Sequence, residues 1–222
     1  MALSQATAPA QAMTTEQIDA ELDRQLERLD DAGHLERMGW TRTKTAAYAD
    51  VLRDPVRQAA ALLPAPTRAR VPFVLVIPAL EPSYSITTQR LGSRPGVLSA
   101  DLSDVDEFRP VEGIDIPPTL YAVIDVRRGD EHRGRTPDEA MADFAAEARS
   151  PLTIGEGLAL LTAHPGSLEK NHCLQTPGSR IGDRRVPGLW ISARAPKLGF
   201  CWAGNRHTWL GIASCAARVG PA

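Results

Sequence analysis

The residues best suited to chemistry in this chain lie close together near its C-terminal end. Only 5% of the chain is aromatic, yet the segment 186–215 holds three of the four tryptophans. Its tryptophans, cysteines and histidine are Trp190, Trp202, Trp209, Cys201, Cys215 and His207. Aromatic rings stack on planar ligands and an imidazole titrates near neutral pH, so this grouping indicates a functional site.

The positions of these residues predict a β-hairpin. Gly204 and Asn205 separate two apolar runs, which is typical of a tight turn with positive φ angles. The alternation of side chains along the two strands then places four residues on one face: Phe200, Trp202, His207 and Trp209. This face is either core beneath a helix or the wall of a pocket. Cys201 falls on the opposite face, which counts against a metal site or a nucleophilic pair with His207.

The leading hypothesis is a binding protein with an aromatic and basic pocket near this hairpin. Between Lys170 and Arg206 there are seven basic residues and one acid, Asp183, so the local net charge is +6. Such a charge attracts a small anionic or planar ligand, although a solvated basic face is the simpler interpretation. The predicted ligand-binding residues are Trp190, Arg194, Trp202, Arg206, His207 and Trp209.

The second hypothesis is a cysteine- or metal-dependent enzyme. Its candidate catalytic residues are His172, Cys173, Cys201 and His207, because a thiol and an imidazole brought together in space form an activated nucleophile. The usual short ligand spacings of a zinc site are missing, so no metal site is predicted. No motif identifies a cofactor, and the chain is not assigned as an enzyme on this pattern.

The third hypothesis is a protein-interaction module that uses the N-terminal helix. Thr14 and Gln17 form a capping box, and Gly33 marks the end of the helix. Its apolar stripe consists of Ile18, Leu22, Leu26 and Leu29. Packing of this stripe on the chain's own core is the simpler explanation.

The order of predicted elements indicates an α+β fold with a mixed, mainly antiparallel sheet. Apolar runs predict strands at 71–77 and 120–126, a weaker strand at 83–89, and terminal strands at 188–193, 198–203 and 207–215. Two central helices begin at capping boxes, Thr136 with Glu139 and Thr153 with Glu156. Glu156 is interpreted first as a cap and alternatively as a catalytic acid.

The predicted organisation has three parts. Residues 1–13 are predicted to form a disordered tail. Residues 14–66 are predicted to form helices that pack on the main domain, and residues 67–218 to form the α+β domain. Within the helical part, a helix over 44–53 is predicted to be followed by another that begins at Asp54–Pro55.

Composition limits the class of protein. The net charge of −2 makes nucleic acid an unlikely partner, and no apolar run is long enough to cross a membrane. Three cysteines without a CxxC spacing favour a reducing compartment, and we expect a cytoplasmic location.

Several segments together resemble an uncharacterised bacterial protein family that is described only as a domain of unknown function. They are LTIGEGLALLTAHP, LEKNHC, GSRIGDRRVPGLWISARAPKLG and FCWAGNRHTWLGIASC, with VPFVLVIP and YAVIDVRRGDE upstream. The resemblance covers roughly residues 16–217. It implies a soluble intracellular bacterial protein and assigns no functional residue.

Overall fold

The computed structural model describes residues 12–221, in which helices alternate with mainly antiparallel strands. The helices are α1 (Thr15–Asp31), α2 (His34–Arg37), α3 (Arg42–Ala60), α4 (Pro82–Thr88), α5 (Pro137–Ala146) and α6 (Ile154–Ala163). The strands are β1 (Arg70–Val76), β2 (Arg90–Leu91), β3 (Arg94–Pro95), β4 (Val97–Leu98), β5 (Arg109–Pro110), β6 (Tyr121–Arg127), β7 (Ser150–Pro151), β8 (Cys173–Gln175), β9 (Ser179–Arg180), β10 (Arg185–Ser192), β11 (Ala195–Trp202), β12 (Leu210–Ile212), β13 (Ser214–Cys215) and β14 (Ala217–Val219). The predicted α+β class is confirmed.

Helix α6 lies between the two large sheets of the fold. The first sheet has the order β1-β6-β13-β7, with β14 also paired to β6, and the second has the order β12-β8-β10-β11-β4. Apolar residues occupy every side of α6, which is typical of a helix in a protein interior. Gly157 lets the second sheet approach, because a Cβ atom there would lie 2.5 Å from the Thr176 side chain.

Helices α1 and α3 cover the other face of the first sheet. Alternation along β1 directs Phe73 and Leu75 toward these helices, while Val74 and Val76 join the core around α6. β1 is an edge strand, and Gln25 of α1 binds its free backbone groups. The Leu75 N–H donates to Gln25 Oε1 at 2.7 Å, and Gln25 Nε2 donates to the Phe73 carbonyl at 3.1 Å. The exposed edge is thereby closed.

The two strongest strand signals and the three capping-box signals agree with the structure. The apolar runs at 71–77 and 120–126 form β1 and β6. All three predicted capping boxes are present, at the starts of α1, α5 and α6.

The division of the second helical region was wrong. Residues 42–60 form one helix with Pro55 inside it. Pro55 removes one helical hydrogen bond. Leu52 and Val56 on either side are fully buried in one core, and this packing holds the helix continuous.

The strand predicted at 83–89 was also wrong, because most of it belongs to α4. Asp106, from a distant segment, accepts hydrogen bonds from the Ser83 N–H at 2.9 Å and from the Ser83 hydroxyl. This nonlocal carboxylate satisfies the start of the helix and has no signature near Ser83 in the sequence.

The terminal hairpin turns at a different point from the one predicted. It joins β10 to β11 through Ala193 and Arg194, whose φ angles are 50° and 61°. Positive φ at both central residues matches the twist of a two-residue hairpin. Neither residue type favours such angles, so the sequence gives no turn signal here.

The predicted pairing of Trp202 with His207 across Gly204–Asn205 was wrong. After Trp202 the chain leaves the sheet and returns as β12, parallel to β8. Trp202 lies opposite Arg185 instead.

Most of the predicted tail falls outside the described residues, namely residues 1–11. Met13 is described, and its N–H donates to the Leu63 carbonyl at 3.4 Å. None of the helices between residues 12 and 221 has the length and hydropathy that a membrane crossing requires.

Candidate functional site

The predicted ligand-binding tryptophans do not share one face of the second sheet. Trp202 lies opposite Arg185, so these two side chains extend from the same face. Arg185 and Trp190 are an odd number of positions apart on β10, so Trp190 extends from the other face. Cys201 lies opposite Val186 and therefore shares the Trp190 face. Strand alternation therefore separates Cys201 from Phe200 and Trp202 but not from Trp190.

Trp190, Trp209 and His207 form an aromatic cluster. The two indole rings meet edge to face with centroids 6.3 Å apart, and His207 meets Trp209 at 5.5 Å. The Trp190 ring covers Gly199, where a Cβ atom would lie 2.2 Å from the indole. Nε2 of His207 is buried without a hydrogen-bond partner, and burial lowers the pKa of this imidazole. A buried polar atom without a partner is uncommon in folded proteins.

Trp202 belongs to a second aromatic group. Its ring meets Phe200 edge to face at 5.4 Å, and the Arg185 guanidinium lies 5.4 Å from the Phe200 centroid. Asp104 binds Arg185 through both oxygens at 2.9 and 2.6 Å. Because Trp202 is 50% exposed, this group forms part of the surface.

The two arginines predicted to contact an anion have different surroundings. Arg206 donates to the Gly134 carbonyl at 3.0 Å and forms a salt bridge with Glu139. Arg194 is exposed in the β10–β11 turn. A carboxylate of the chain therefore already neutralises Arg206.

Burial keeps the three cysteine thiols protonated. The Cys173 thiol donates to the Glu169 carbonyl at 3.4 Å, and burial raises its pKa. Burial also raises the pKa of Cys201 to about 11 and that of Cys215 to about 12. The thiolate is the nucleophile and the metal ligand, so these pKa values disfavour both roles at neutral pH. Residues 12–221 contain no group of three or more His, Cys, Asp or Glu side chains arranged to hold a metal ion.

His172 is paired with a carboxylate. Its Nδ1 lies 3.0 Å from Asp130 Oδ2. The buried Arg128 binds the same carboxylate at 2.8 and 2.7 Å and reaches Glu169 at 3.2 Å. Burial raises the pKa of Asp130, but hydrogen bonds from Arg128 and His172 outweigh it and keep the carboxylate charged. No local sequence pattern predicts this pairing, because Asp130 and His172 lie on distant segments.

A cleft of about 430 Å³ opens where β1 ends and α6 begins. Its walls are mainly apolar, and the apolar residues that line it are Val76, Ile77, Leu80, Phe108, Ile116, Tyr121 and Ile154. Arg109, Gly155 and Ser179 also line the cleft. The hydroxyl of Ser179 accepts from the Ile154 N–H at 3.0 Å, so it occupies one backbone donor at the start of α6.

A second cleft, of about 500 Å³, lies beside α1 and the end of α4. Charged side chains of both signs line it, including Arg28, Asp31 and Arg90. Arg24, at its edge, is bound by Glu21 at 2.7 and 2.5 Å. This cleft lacks the apolar walls of the first one.

A buried ionic cluster adjoins the apolar cleft. Glu156 binds Arg218 through both oxygens at 2.6 and 2.8 Å and accepts from the Tyr121 hydroxyl at 3.2 Å. Burial, followed by the charge of Glu156, raises the pKa of Tyr121 above its usual range. Glu156 also accepts from the Thr153 N–H at 2.7 Å, so its predicted role as a cap is confirmed. The bond to Arg218 is an additional role without a local sequence signal.

The residues predicted from sequence to form the site do not line the apolar cleft. Most of its walls come from three separate segments, at residues 76–82, 106–110 and 153–155, and Ile116, Tyr121 and Ser179 complete them. Two local signals point toward it, namely Pro78 at the end of an apolar strand and the cap at Thr153. The end of β1 and the start of α6 face each other only because the first sheet packs on α6.

The chain was compared with known proteins. Neither the curated proteins nor the solved structures include a significant match to it. A family profile does match residues 28–221, which is most of the chain. The resemblance seen in the sequence is therefore confirmed. The chain belongs to the family described as a family of unknown function, DUF5701.

Proposed function

We propose that this chain is a binding protein for a small ligand with an apolar body, which occupies the cleft between β1 and α6. The observation that carries the proposal is a cleft of about 430 Å³ with mainly apolar walls. Ligand pockets typically measure roughly 300–1,000 Å³ and combine apolar walls with a few placed polar groups.

The polar groups of the cleft favour a ligand with a polar head. Residues 153–155 form the start of α6 and face the cleft. The backbone N–H groups at a helix start carry a partial positive charge. Arg109 adds a positive charge at the same cleft, and Glu81 and Asp106 add carboxylates. These groups support a polar head on an otherwise apolar ligand.

The proposal keeps the class of function that the sequence favoured and moves the site. The sequence hypothesis used a single aromatic face near the terminal strands. That face required the pairing of Trp202 with His207, which the strands do not form.

The cluster of Trp190, Trp209 and His207 is a second candidate site, for a planar ligand. The unpartnered Nε2 of His207 beside the Trp209 ring favours it. If this cluster binds the ligand, saturation should change the tryptophan fluorescence of wild-type protein, and Trp209→Phe should remove most of that change. An unchanged response in Trp209→Phe would dismiss this site.

The two other hypotheses have less support. Raised thiol pKa values disfavour an enzyme that uses Cys173 or Cys201. The apolar stripe of α1 packs into the core with the first sheet, which leaves little of it for a protein partner. The three free cysteines agree with the proposed cytoplasmic location.

Filling the cleft tests the proposal. A Cβ atom at Gly155 would meet nothing within 4 Å, so Gly155→Leu places a side chain in the cleft without a clash. Gly166 also has no atom within 4 Å of such a Cβ and lies outside the cleft, so Gly166→Leu is the matched control. The probe is Nile red, a neutral dye that fluoresces in apolar sites.

Wild-type protein and Gly166→Leu should bind Nile red with similar affinity. Gly155→Leu should bind it at least about tenfold more weakly, which corresponds to about 1.4 kcal/mol of lost binding free energy. Equal affinity in Gly155→Leu and Gly166→Leu, or no binding to the wild type, would contradict the proposal.

A further inference from the structure

We infer that the ligand of the cleft carries a hydroxyl group and that a small polar cavity beside the cleft binds this hydroxyl through His34, Ser85 and the Gly155 N–H; the inference rests on the proposed function. The cavity offers about 10 Å³ to the centre of a water molecule, which is the room that one water or one hydroxyl needs. His34, Ser85 and Gly155 line it, and its other walls are apolar. A group that fills so small a space lies against all of these walls.

The cavity adjoins the apolar cleft. Val76, Ile77, Leu80 and Gly155 line both spaces. A Cβ atom at Gly155 would meet nothing within 4 Å, so the shared wall is open at this residue. A ligand whose apolar body occupies the cleft can therefore place a small end group in the cavity.

His34 supplies a hydrogen-bond acceptor. Its Nε2 lies 2.9 Å from the Thr88 hydroxyl, which donates its single hydrogen to the Ser85 carbonyl at 2.9 Å. We therefore assign the ring proton to Nε2, which leaves a free lone pair on Nδ1. Burial lowers the pKa of His34 to about 4, so the ring is neutral at pH 7. The side chain is 1% exposed, and Nδ1 has no partner among the described residues.

Ser85 and Gly155 supply donors. Ser85 is 3% exposed, and its hydroxyl forms no hydrogen bond with another residue between 12 and 221, although its carbonyl accepts one. The Gly155 N–H lies in the first turn of α6, where the helix itself offers no acceptor. Side-chain oxygens bind the N–H groups on either side of it, at Ile154 and Glu156, but no described residue accepts from Gly155.

These three groups select a hydroxyl over other polar heads. A hydroxyl accepts from the Gly155 N–H or the Ser85 hydroxyl and donates its own hydrogen to Nδ1 of His34. A carboxylate has no hydrogen for Nδ1 and is larger than the cavity. An ammonium group cannot accept from the Gly155 N–H and would bury a charge without a counterion. Buried donors and acceptors are costly to leave unpaired, so the head that pairs them all should bind best.

Two isomers test the inference, 1-octanol and heptyl methyl ether, each used to displace Nile red at pH 7. They contain the same atoms, but only the alcohol can donate to Nδ1, and the terminal methyl group of the ether does not fit beside its oxygen in the cavity. Wild-type protein should bind the alcohol about tenfold or more tightly than the ether. Octanoate should bind no more tightly than the ether.

Ser85→Ala removes one hydroxyl without adding an atom, and it should lower the preference for the alcohol at least about threefold while the affinity for Nile red stays unchanged. His34→Phe keeps a ring but removes Nδ1, and it should bind the two isomers equally. Circular dichroism checks that His34→Phe is folded; if it is not, the Ser85→Ala result decides. Ser167→Ala is the matched control, because Ser167 is 1% exposed and lines neither the cleft nor the cavity.

Ser167→Ala should keep the wild-type preference for the alcohol. Equal binding of the two isomers by wild type would leave the cavity as the site of a structural water and overturn the inference while the cleft proposal stands. Tighter binding of octanoate than of the alcohol, or an undiminished preference in Ser85→Ala, would overturn it in the same way. If neither isomer displaces Nile red the inference fails, and if Gly155→Leu then binds the dye as tightly as Gly166→Leu, the proposed function fails as well.

Discussion

The two central helices provide a matched test of how burial changes the role of a capping glutamate. Both begin with the same capping box, Thr136 with Glu139 in α5 and Thr153 with Glu156 in α6. Glu139 is 36% exposed and pairs with the exposed Arg206. Glu156 is 1% exposed and binds Arg218, which is 9% exposed.

Glu156→Gln should be far more destabilising than Glu139→Gln. Glutamine keeps a side-chain oxygen that can accept from the Thr153 N–H, so the substitution removes mainly the charge opposite Arg218. Removing one partner of a buried ion pair costs about 3–5 kcal/mol, because the other charge stays buried without compensation. At the exposed pair of Glu139, the loss should be about 1 kcal/mol or less. A chain of this kind has a total stability of roughly 5–15 kcal/mol, so the first loss is a large share of it.

Urea unfolding, followed by circular dichroism and tryptophan fluorescence, measures both losses. With a slope of about 3 kcal/mol per M, the Glu156→Gln midpoint should fall by about 1–2 M. The double variant Glu156→Gln, Arg218→Met removes both charges and should recover most of the lost stability. Equal losses for the two glutamate variants, or no recovery in the double variant, would refute the reasoning.

Two further predictions concern pH and backbone packing. Burial lowers the pKa of His34 to about 4. At a pH between this value and the ordinary histidine pKa of about 6.5, the unfolded chain binds a proton that the folded chain excludes. The free energy of unfolding should therefore fall by about 2 kcal/mol between pH 7 and pH 5. Urea unfolding at both pH values should show that His34→Gln lacks this decrease. An unchanged pH dependence in the variant would count against the assignment to His34. Gly129 and Gly113 have similar φ angles of 85° and 82°. A Cβ atom at Gly129 would lie 1.9 Å from the Ile212 carbonyl oxygen, whereas a Cβ atom at Gly113 would have nothing within 4 Å. Gly113→Ala should lower the free energy of unfolding by about 1–2 kcal/mol through backbone strain. Gly129→Ala should lower it by about 1–3 kcal/mol more because of the clash. Similar losses for both variants in urea unfolding would show that packing at Gly129 is unimportant.

Local patterns in the sequence predicted the elements whose stability is itself local. The capping boxes of α1, α5 and α6 place a side-chain acceptor next to the N–H groups it satisfies. The apolar runs of β1 and β6 predict strands buried on both faces, and both strands pack between two layers of helices. The α+β class follows from the order of these elements.

The errors occurred where a distant segment decides the local structure. Residues 82–88 form α4, and Asp106 satisfies the start of that helix. The terminal hairpin turns at Ala193–Arg194, where the pairing of two long strands holds φ angles that these residues rarely adopt. The turn signal at Gly204–Asn205 predicts a hairpin at that point instead. Because the hairpin lies elsewhere, the single face predicted for the aromatic residues is wrong.

The sequence by itself determined the class of fold, the starts of α1, α5 and α6, the two buried strands and membership of the family. It also located the unusual aromatic residues, although it did not predict how they divide between two faces. The tertiary structure alone decided which charges are paired, as with Glu156 and Arg218, and which donate to backbone carbonyls instead, as with Arg180. The apolar cleft likewise exists only in the tertiary structure, because the end of β1, the β5–β9 ribbon and the start of α6 meet only after the sheets have packed around α6. Contacts between residues far apart in sequence leave no periodic or local pattern, and for this reason the candidate site emerged only from the folded chain.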